Sequence, residues 1–213
     1  IGVEKMKVLD LFSGTRSATK IWEDEGYEVI SIEINHNQEA TYNDSILEFN
    51  GYDLQIVHGY FDFIWASVPC TTFSVASIGK HWNKDGTPKT SECRNNILLL
   101  LHTIRLIEIL KPKYYVIENP RGMMRKIFEK LDLEKYNRYE ITQCQYGHPN
   151  MKPTDLFGIL PPSFDARKCK NGSPCHEAAP RGSMSGTQGI KNKIDRSRIP
   201  YDLTSEIYHS IMR

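Results

Sequence analysis

The stretch KVLDLFSG, residues 7–14, decides the fold. An apolar run that ends in Ser-Gly is typical of a buried strand that enters a turn. Further strands are predicted at 27–35, 61–68, 113–120 and 139–146, and helical spacing occurs at 17–26, 93–110 and 199–212. Strands that alternate with helices favour parallel pairing. The sequence therefore predicts an α/β protein with a doubly wound, mostly parallel sheet, followed by a long irregular C-terminal insertion and a closing helix.

Composition sets limits on the class of protein. The chain has 213 residues and a net charge of +1, which suits one domain with a modest appendage. No apolar run reaches membrane-spanning length, no signal peptide is visible, and five cysteines do not form an even disulfide framework. We therefore expect a protein of the cytoplasm with no membrane partner.

The charge is unevenly distributed. Residues 165–198 carry eight Lys or Arg against three acidic residues, and the segment 161–189 is rich in Pro, Gly and Ser. Long irregular segments inside compact domains are often functional. The basic balance indicates a nucleic-acid partner, although a solvated loop would have the same composition.

Polar or reactive residues follow the predicted strands, where doubly wound sheets bind their ligands. Glu33 ends the second strand and is a candidate partner for ribose hydroxyls, or else an exposed strand-end charge. Asp44 is a candidate acceptor for an adenine amino group, or a turn residue. Cys70 follows a proline after the third strand; by itself it is either a small buried hydrophobe or a nucleophile.

Five short blocks narrow the interpretation. In chain order they are DLFSG (10–14), PCTTFS (69–74), ENP (118–120), YGHP (146–149) and SRIPYDL (197–203). In this order and at these separations they resemble the cytosine-5 DNA methyltransferase family, which uses S-adenosylmethionine. The resemblance implies a Rossmann-like methyltransferase fold, S-adenosylmethionine as cofactor and DNA methyltransferase activity.

The resemblance also implies catalytic roles. Cys70 would attack carbon 6 of cytosine as a thiolate, helped by a nearby helix N-terminus. Glu118 would hold a proton near ring nitrogen 3, which requires a raised pKa, and Asn119 would orient the pair. Lys152 stands near where the family has arginines that contact the base, and keeps one positive charge without the fork geometry.

The cofactor site implied by the resemblance lies along the first strands. Its expected members are Asp10, Phe12, Ser13, Gly14, Glu33, Ile34, Asp44, Ser45 and Pro69. The expected partner is duplex DNA with a flipped cytosine, in a bacterial or phage-infected cell. An RNA cytosine substrate, or a catalytically impaired protein that binds cofactor and DNA, is the alternative.

Three parts of the chain are expected: a catalytic domain at 1–160, a reduced target-recognition region at 161–196 and a closing helix at 197–213. The family carries a recognition region of roughly domain scale where only about forty residues intervene here. A protein partner that supplies sequence recognition is therefore possible. The basic residues of the insertion are suited to phosphates, and they are Arg181, Lys191, Lys193, Arg196 and Arg198.

The other cysteines leave one question open. Cys169-x5-Cys175-His176 is not a common zinc spacing, yet it puts three soft ligands within eight residues. Either Cys144 or His148 would supply a fourth ligand. No metal is assigned from the sequence, and a structural zinc is the alternative.

Overall fold

The computed structural model describes residues 5–49, 59–133, 136–177, 190 and 192–213. Within them the strands are β1 (Lys7–Leu11), β2 (Glu28–Ile32), β3 (Phe63–Ser67), β4 (Tyr114–Pro120), β5 (Asn137–Thr142) and β6 (Pro153–Ile159). The helices are α1 (Lys20–Asp24), α2 (Ile78–His81), α3 (Ser91–Leu110), α4 (Met124–Lys130), α5 (Lys193–Ser197) and α6 (Tyr201–Ile211). Short 3₁₀ turns cover Val75–Ser77 and Gln143–Tyr146.

The strands form one six-stranded sheet in the order β2-β1-β3-β4-β6-β5. The first four strands pair in parallel, and β6 runs antiparallel to both β4 and β5. The α/β class predicted from the sequence is confirmed, with an antiparallel pair at one end of the sheet.

The two faces of the sheet bury different side chains. Leu9 of β1 and Ile64 of β3 face a core that includes α3 and α4. Their sequence neighbours Val8 and Phe63 face a second core, which includes α1 and α6. Because successive strand residues point to opposite faces, helices must cover both sides. This is the doubly wound arrangement expected from alternating strands and helices.

Strand β6 is absent from the sequence prediction. Its residues PTDLFGI contain a proline, an aspartate and a glycine, which weaken a strand signal. Gly158 is required because a Cβ there would come within 2.0 Å of the carbonyl oxygen of Tyr115 on β4. The predicted strand at 139–146 is also wrong in part: residues 143–146 form a 3₁₀ turn that ends at Gly147, whose φ is 85°.

Helices α3 and α6 begin and end close to the predicted positions, whereas α2, α4 and α5 were not predicted. Helix α3 starts at Ser91, where the Thr90 side chain accepts a hydrogen bond from the Cys93 amide. Helix α1 is shorter than the predicted 17–26. Helix α6 packs Leu203 and Ile207 into the core that it shares with α1. In the described part of the chain, no helix combines the length and the apolar character needed to cross a bilayer.

Candidate active site

The carboxyl ends of the parallel strands bring the predicted site residues to one edge of the sheet. Gly14 follows β1, Glu33 follows β2, Cys70 comes shortly after β3, and Glu118 lies near the end of β4. The registers of β1 with β2 and of β3 with β4 keep these ends level. The structure thus gathers residues that are more than one hundred positions apart in the chain.

The turn that carries Cys70 is held from α3. Asn96 Nδ2 of that helix donates to Thr71 Oγ1 and Thr72 Oγ1, both at 3.1 Å. Trp82 Nε1 donates to the Thr72 carbonyl at 2.7 Å. The chain just after the thiol is therefore held by buried groups. Cys70 is itself an exposed residue, although the surrounding cleft removes part of the hydration of its sulfur.

Glu118 and Asn119 are buried on β4 beside this turn. Asn119 Nδ2 donates to the Val68 carbonyl at 2.8 Å, which ties β4 to the residue that precedes Pro69. Asn119 Oδ1 is buried and has no hydrogen-bond partner among the described residues. Asn119 thus positions the Cys70 turn relative to Glu118.

Lys152 comes to the same cleft from the loop before β6. Its Nζ donates to the Arg196 carbonyl at 2.8 Å and lies 3.4 Å from that of Arg198. Its φ is 38°, in the left-handed region that non-glycine residues rarely adopt. The basic end of the insertion is therefore attached to the cleft through this lysine.

The charges around Cys70 act in opposite directions. The cleft removes hydration from the thiol and the Glu118 charge repels a thiolate, and together these raise the pKa of Cys70. The charges of Lys152 and Arg196 oppose the rise. The turn after Cys70 leads into a 3₁₀ turn and then the four-residue α2, rather than directly into a long helix. Desolvation is the largest of the effects on this pKa.

Glu118 has the environment expected of a proton-holding group. Burial raises its pKa, the charge of Lys152 lowers it and the charge of Asp155 raises it further. Burial also lowers the pKa of Lys152, against the charges of Glu118 and Cys70. The raised pKa of Glu118 agrees in direction with the prediction from the sequence.

At the other end of the edge, Glu33 is anchored rather than free. One carboxylate oxygen accepts from the Gly14 amide at 2.8 Å, and the other accepts from the Asn35 amide at 2.9 Å. A carboxylate has about four acceptor positions, so it retains capacity for two further donors. Phe12 and Gly14 adopt φ values of 60° and 49°, which shape the loop around Glu33.

Two buried oxygens near this loop have no hydrogen-bond partner among the described residues, namely Asp10 Oδ1 and Ser13 Oγ. The other Asp10 oxygen accepts from Thr19 Oγ1 at 2.7 Å, and burial raises the pKa of Asp10 to about 7. Ile34, the residue after Glu33, has 66% of its surface exposed. Unpaired polar atoms and an exposed apolar side chain fit a ligand that combines polar groups with a flat ring.

The remaining predicted cofactor residues have less specific surroundings. Asp44 is exposed, and its side chain accepts from the Ser45 amide at 2.7 Å, as a turn residue does. A bridge between Ile32 and Tyr42 holds the start of this segment against the end of β2. Pro69 contributes its carbonyl to Asn96 at 3.5 Å.

Three contributions to the site were missed in the sequence. Asn96 orients the Cys70 turn from within the amphipathic helix α3. Gly122 lies so close to Phe73 that a Cβ on Gly122 would come within 2.0 Å of the Phe73 carbonyl oxygen. Arg196 was predicted only as a phosphate contact, yet its charge acts on the thiol. The sequence offered only weak signals for the first two: Asn96 is a polar residue in a largely apolar helix, and Gly122 comes shortly after the Glu-Asn-Pro block. The predicted phosphate contacts Arg181 and Lys191 lie outside the described residues.

A second cluster of side chains contains none of the groups around Cys70. Ligand atoms of Cys144, Cys169, Cys175 and His176 all come within 4.8 Å of one another. His148, the other candidate for the fourth position, is not a member of this cluster. Its Nδ1 instead accepts from the Asn150 amide at 3.0 Å.

Comparison with known families gives one match along most of this fold. The family described as C-5 cytosine-specific DNA methylase matches residues 6–145. That range contains the turn with Cys70, the Glu118-Asn119 pair and the loop around Glu33.

Individual relatives agree with this match. The "Probable DNA (cytosine-5)-methyltransferase" of Frog virus 3 is 26% identical over 95% of this chain and 98% of its own length. A solved structure of the methyltransferase EhMeth of Entamoeba histolytica has a TM-score of 0.52, at 18% identity, over 79% of this chain and 58% of that one. A DNMT2 variant of Spodoptera frugiperda has a TM-score of 0.50, at 17% identity, over 82% and 58%. The chain thus spans little more than half of these solved proteins, and at such identity the likeness concerns the fold alone.

Proposed function

Because the chain belongs to the C-5 cytosine-specific DNA methylase family, we propose that it methylates carbon 5 of cytosine in DNA through a covalent bond to Cys70. Membership makes it a cytosine-5 methyltransferase that depends on S-adenosylmethionine. The DNA substrate and the covalent mechanism are the proposal. The observation that carries it is geometric: Glu118 pairs in register with Ser67, and Asn119 donates to the Val68 carbonyl, so the buried carboxyl group lies beside the turn that carries the exposed Cys70. The charge of Lys152 acts on both groups.

The chemistry follows from these three groups. The Cys70 thiolate forms a bond to carbon 6, and the electron pair of the C5–C6 double bond becomes available at carbon 5. Protonated Glu118 donates to ring nitrogen 3 and so relieves the negative charge that attack puts on the ring. After methylation the carbon 5 proton leaves to water, and the bond from carbon 6 to sulfur breaks, which restores the double bond and the thiolate. Ring nitrogen 3 then returns its proton to the Glu118 carboxylate.

Lys152 stabilises the two anions of this sequence. Its charge favours both the Cys70 thiolate and the Glu118 carboxylate. A lysine offers a point charge rather than the planar fork of an arginine. We propose that it lowers the cost of charge in the cleft and leaves the orientation of the base to Glu118 and Asn119.

S-adenosylmethionine, when bound, supplies an electrophilic methyl group. Glu33 would accept from its ribose hydroxyls, and Asp10 and Ser13 would pair with its polar groups through the oxygens described above. Ile34 would contact the adenine ring, and Asp44 would accept from the adenine amino group. The rest of the cofactor site would be lined by Phe12, Gly14, Ser45 and Pro69.

DNA is proposed over RNA because the viral relative that matches nearly the whole chain carries a DNA methyltransferase name. A flipped cytosine is expected, since a base stacked in a duplex cannot present carbon 6 to a thiol. The basic segment 165–198 would contact phosphates, and a protein partner would add sequence recognition. The proposed setting is the cytoplasm of a bacterial or phage-infected cell.

The first test compares substrates. Purified protein is incubated with labelled S-adenosylmethionine and duplex DNA, RNA or free nucleotide, and transfer is measured side by side. We expect methyl transfer to duplex DNA by the native protein and by the control variant Cys93→Ala. In Cys70→Ser the rate of transfer should fall by several powers of ten, because each 1.4 kcal/mol added to the barrier slows the reaction about tenfold. Transfer only to RNA would replace the DNA substrate, and binding of cofactor and DNA without turnover would favour the impaired protein.

The second test isolates the covalent step. Duplex DNA that contains 5-fluorocytosine should form an adduct with the native protein that survives denaturation, because the carbon 5 fluorine cannot leave as a proton does. Peptide mapping should locate the adduct on Cys70, and Cys70→Ser should form none. An adduct on another residue, or robust turnover by the serine variant, would reject the assignment.

A further inference from the structure

We propose that Cys144, Cys169, Cys175 and His176 bind a structural zinc ion that fastens the segment after β6 to the 3₁₀ turn at Gln143–Tyr146. The inference concerns side chains that take no part in the methyl-transfer chemistry, and it does not depend on the proposed function. In the described part of the chain, this is the only group of three or more His, Cys, Asp or Glu residues with converging ligand atoms.

Three distances between ligand atoms are close to those of a tetrahedral zinc site, and a fourth, between the sulfurs of Cys144 and Cys169, is shorter. Zinc lies about 2.3 Å from sulfur and about 2.0–2.1 Å from imidazole nitrogen, so tetrahedral ligands stand about 3.8 Å apart for two sulfurs and about 3.5 Å apart for sulfur and nitrogen. Cys144 Sγ lies 3.7 Å from Cys175 Sγ and 3.2 Å from Cys169 Sγ. His176 Nδ1 lies 3.6 Å from each of the sulfurs of Cys169 and Cys175.

A disulfide explains this arrangement less well than a cation does. One disulfide would join two sulfurs at about 2.05 Å and would leave the third sulfur and the imidazole without a reason to converge. Three thiols packed together gain little from one another as hydrogen bonders. A cation in the middle gives every ligand a favourable contact, and three sulfurs with one imidazole are a donor set typical of structural zinc.

The surrounding hydrogen bonds hold the ligands in position. The Cys169 amide donates to Thr142 Oγ1 at 2.9 Å, so the ligand loop is attached where β5 ends. Gln145 Nε2 donates to Cys175 Sγ at 3.1 Å, the kind of outer contact that stabilises a metal-bound thiolate. The Glu177 amide donates to the Pro149 carbonyl at 2.9 Å and closes the loop on its far side.

The role of the metal follows from where its ligands lie. Residues 161–177 form no helix or strand, and few of their side chains are buried. A short segment of this kind cannot stabilise itself through a core, and a structural metal is one of the usual substitutes. The ion would therefore order the start of the insertion against the stretch 142–149, which leads directly to Lys152.

Metal analysis of the native protein is the primary test. Protein purified from zinc-supplemented cells under reducing conditions, then dialysed, should contain one zinc per chain by inductively coupled plasma mass spectrometry. Replacement by Co²⁺ should produce thiolate-to-cobalt charge transfer and the intense visible bands of tetrahedral cobalt. Absence of stoichiometric metal together with failure to bind Co²⁺ would overturn the proposal, as would peptide mapping that finds a Cys144–Cys169 disulfide in metal-free protein.

Matched variants assign the ligands. Cys169→Ser and His176→Gln should lose the zinc and expose the peptide bonds around residues 167–177 to protease. Cys93→Ser and His148→Gln remove the same residue types outside the cluster and should keep one zinc per chain. Full zinc content in Cys169→Ser would reject the ligand set. If the ligand variants do not fold, the native metal content and cobalt spectrum still decide the outcome.

Discussion

At the scale of the single residue, desolvation has the largest effect on the pKa of the Cys70 thiol, and two neighbours of opposite charge adjust it. Glu118 raises the pKa of Cys70 and Lys152 lowers it. In the proposed mechanism only the thiolate attacks carbon 6, so the two side chains would adjust the fraction of protein that is ready to react at a given pH. They also act on each other, because the charge of Lys152 lowers the pKa of Glu118.

The first prediction uses these opposite signs. Above the raised pKa of Glu118 the carboxyl group is ionised, so in that part of the pH series Glu118→Gln removes a negative charge, the pKa of Cys70 should fall and alkylation by iodoacetamide should become faster. Lys152→Met removes a positive charge, so the pKa should rise and alkylation should slow. The rate is measured for the Cys70 peptide by mass spectrometry across a pH series. Shifts in the same direction for both variants would contradict the electrostatic arrangement described above.

Methyl transfer should respond differently from alkylation. Glu118→Gln makes a more reactive thiol but removes the proton donor to ring nitrogen 3, so turnover should fall although alkylation rises. A fall in turnover together with a rise in alkylation rate would identify Glu118 as a catalytic carboxyl group. A carboxyl group that only shifts the pKa of the thiol would change both rates in the same direction. Parallel rises in alkylation and turnover would exclude Glu118 as the acid.

The second prediction concerns Glu33. Loss of a carboxylate that accepts from two hydroxyls costs about 1.5–3 kcal/mol, which is roughly a ten- to 150-fold weaker Kd. Glu33→Ala should therefore weaken calorimetric binding of S-adenosylhomocysteine more than it slows turnover at saturating cofactor. Asn35→Ala keeps the amide that donates to Glu33 and serves as the control. If Glu33→Ala left the Kd unchanged, Glu33 would not be the residue that accepts from the ribose hydroxyls.

At the scale of the element, the Cys70 turn is clamped between α3 and the end of β4. The Met123 amide donates to the Phe73 carbonyl at 2.8 Å, and Gly122 leaves no room for a side chain beside that carbonyl. The position of the nucleophile thus depends on a backbone contact between two segments about fifty residues apart. Gly122 has no reactive side chain, but through this contact it helps to position the Cys70 turn.

The third prediction tests that contact. Gly122→Ala puts a Cβ within 2.0 Å of the Phe73 carbonyl oxygen, so the Cys70 turn must shift. Overpacking of this kind costs about 1–3 kcal/mol, and turnover should fall by at least about tenfold because the thiol is misplaced. Gly79→Ala is the matched control, since a Cβ there meets nothing within 4 Å. Thermal unfolding and methyl transfer are measured on both variants; equal behaviour would show that the turn tolerates displacement.

Strand β6 supports the same cleft from the other side. Its Asp155 is buried and accepts a bidentate hydrogen bond from Arg125 of α4, with Nε to Oδ2 at 2.5 Å. A buried carboxylate that lost this partner would be strongly destabilising. The antiparallel insertion of β6 between β4 and β5 therefore rests on an ion pair as well as on the strand ladder, and it fixes the loop that presents Lys152.

At the scale of the whole molecule, the chain has a nearly complete catalytic sheet and a short insertion. Between Leu160 and Ile199, the described residues contain one helix, the five-residue α5. Base readout needs side chains supported in a groove, whereas phosphate contacts only position the protein. The backbone carbonyls of Arg196 and Arg198 accept from Lys152, so this basic end lies against the active-site cleft.

The fourth prediction follows for specificity. We expect a relaxed sequence preference that extends over about two base pairs around the target cytosine. A wrong base pair costs about 1–3 kcal/mol of binding free energy only where the protein contacts it, and the short insertion can contact few. Binding should weaken steeply with salt because phosphate contacts dominate. Bisulfite sequencing of a randomised duplex pool, methylated at two salt concentrations, measures both. A sharp site of four to six base pairs read by the isolated chain would mean that the insertion forms a true recognition element.

Much of this protein is determined locally, and the sequence therefore predicted it. Apolar runs such as KVLDLFSG bury strands, and the order of the blocks around Cys70 and Glu118 identified the family before any geometry. Local patterns could not reveal β6, because its proline, aspartate and glycine are explained only by partners on β4 and α4. Nor could they give the pKa of Cys70, which depends on charges that folding brings from residues 118, 152 and 196. The choice of Cys144 over His148 in the second cluster was likewise decided by tertiary structure, because spacing along a chain does not measure distance across it.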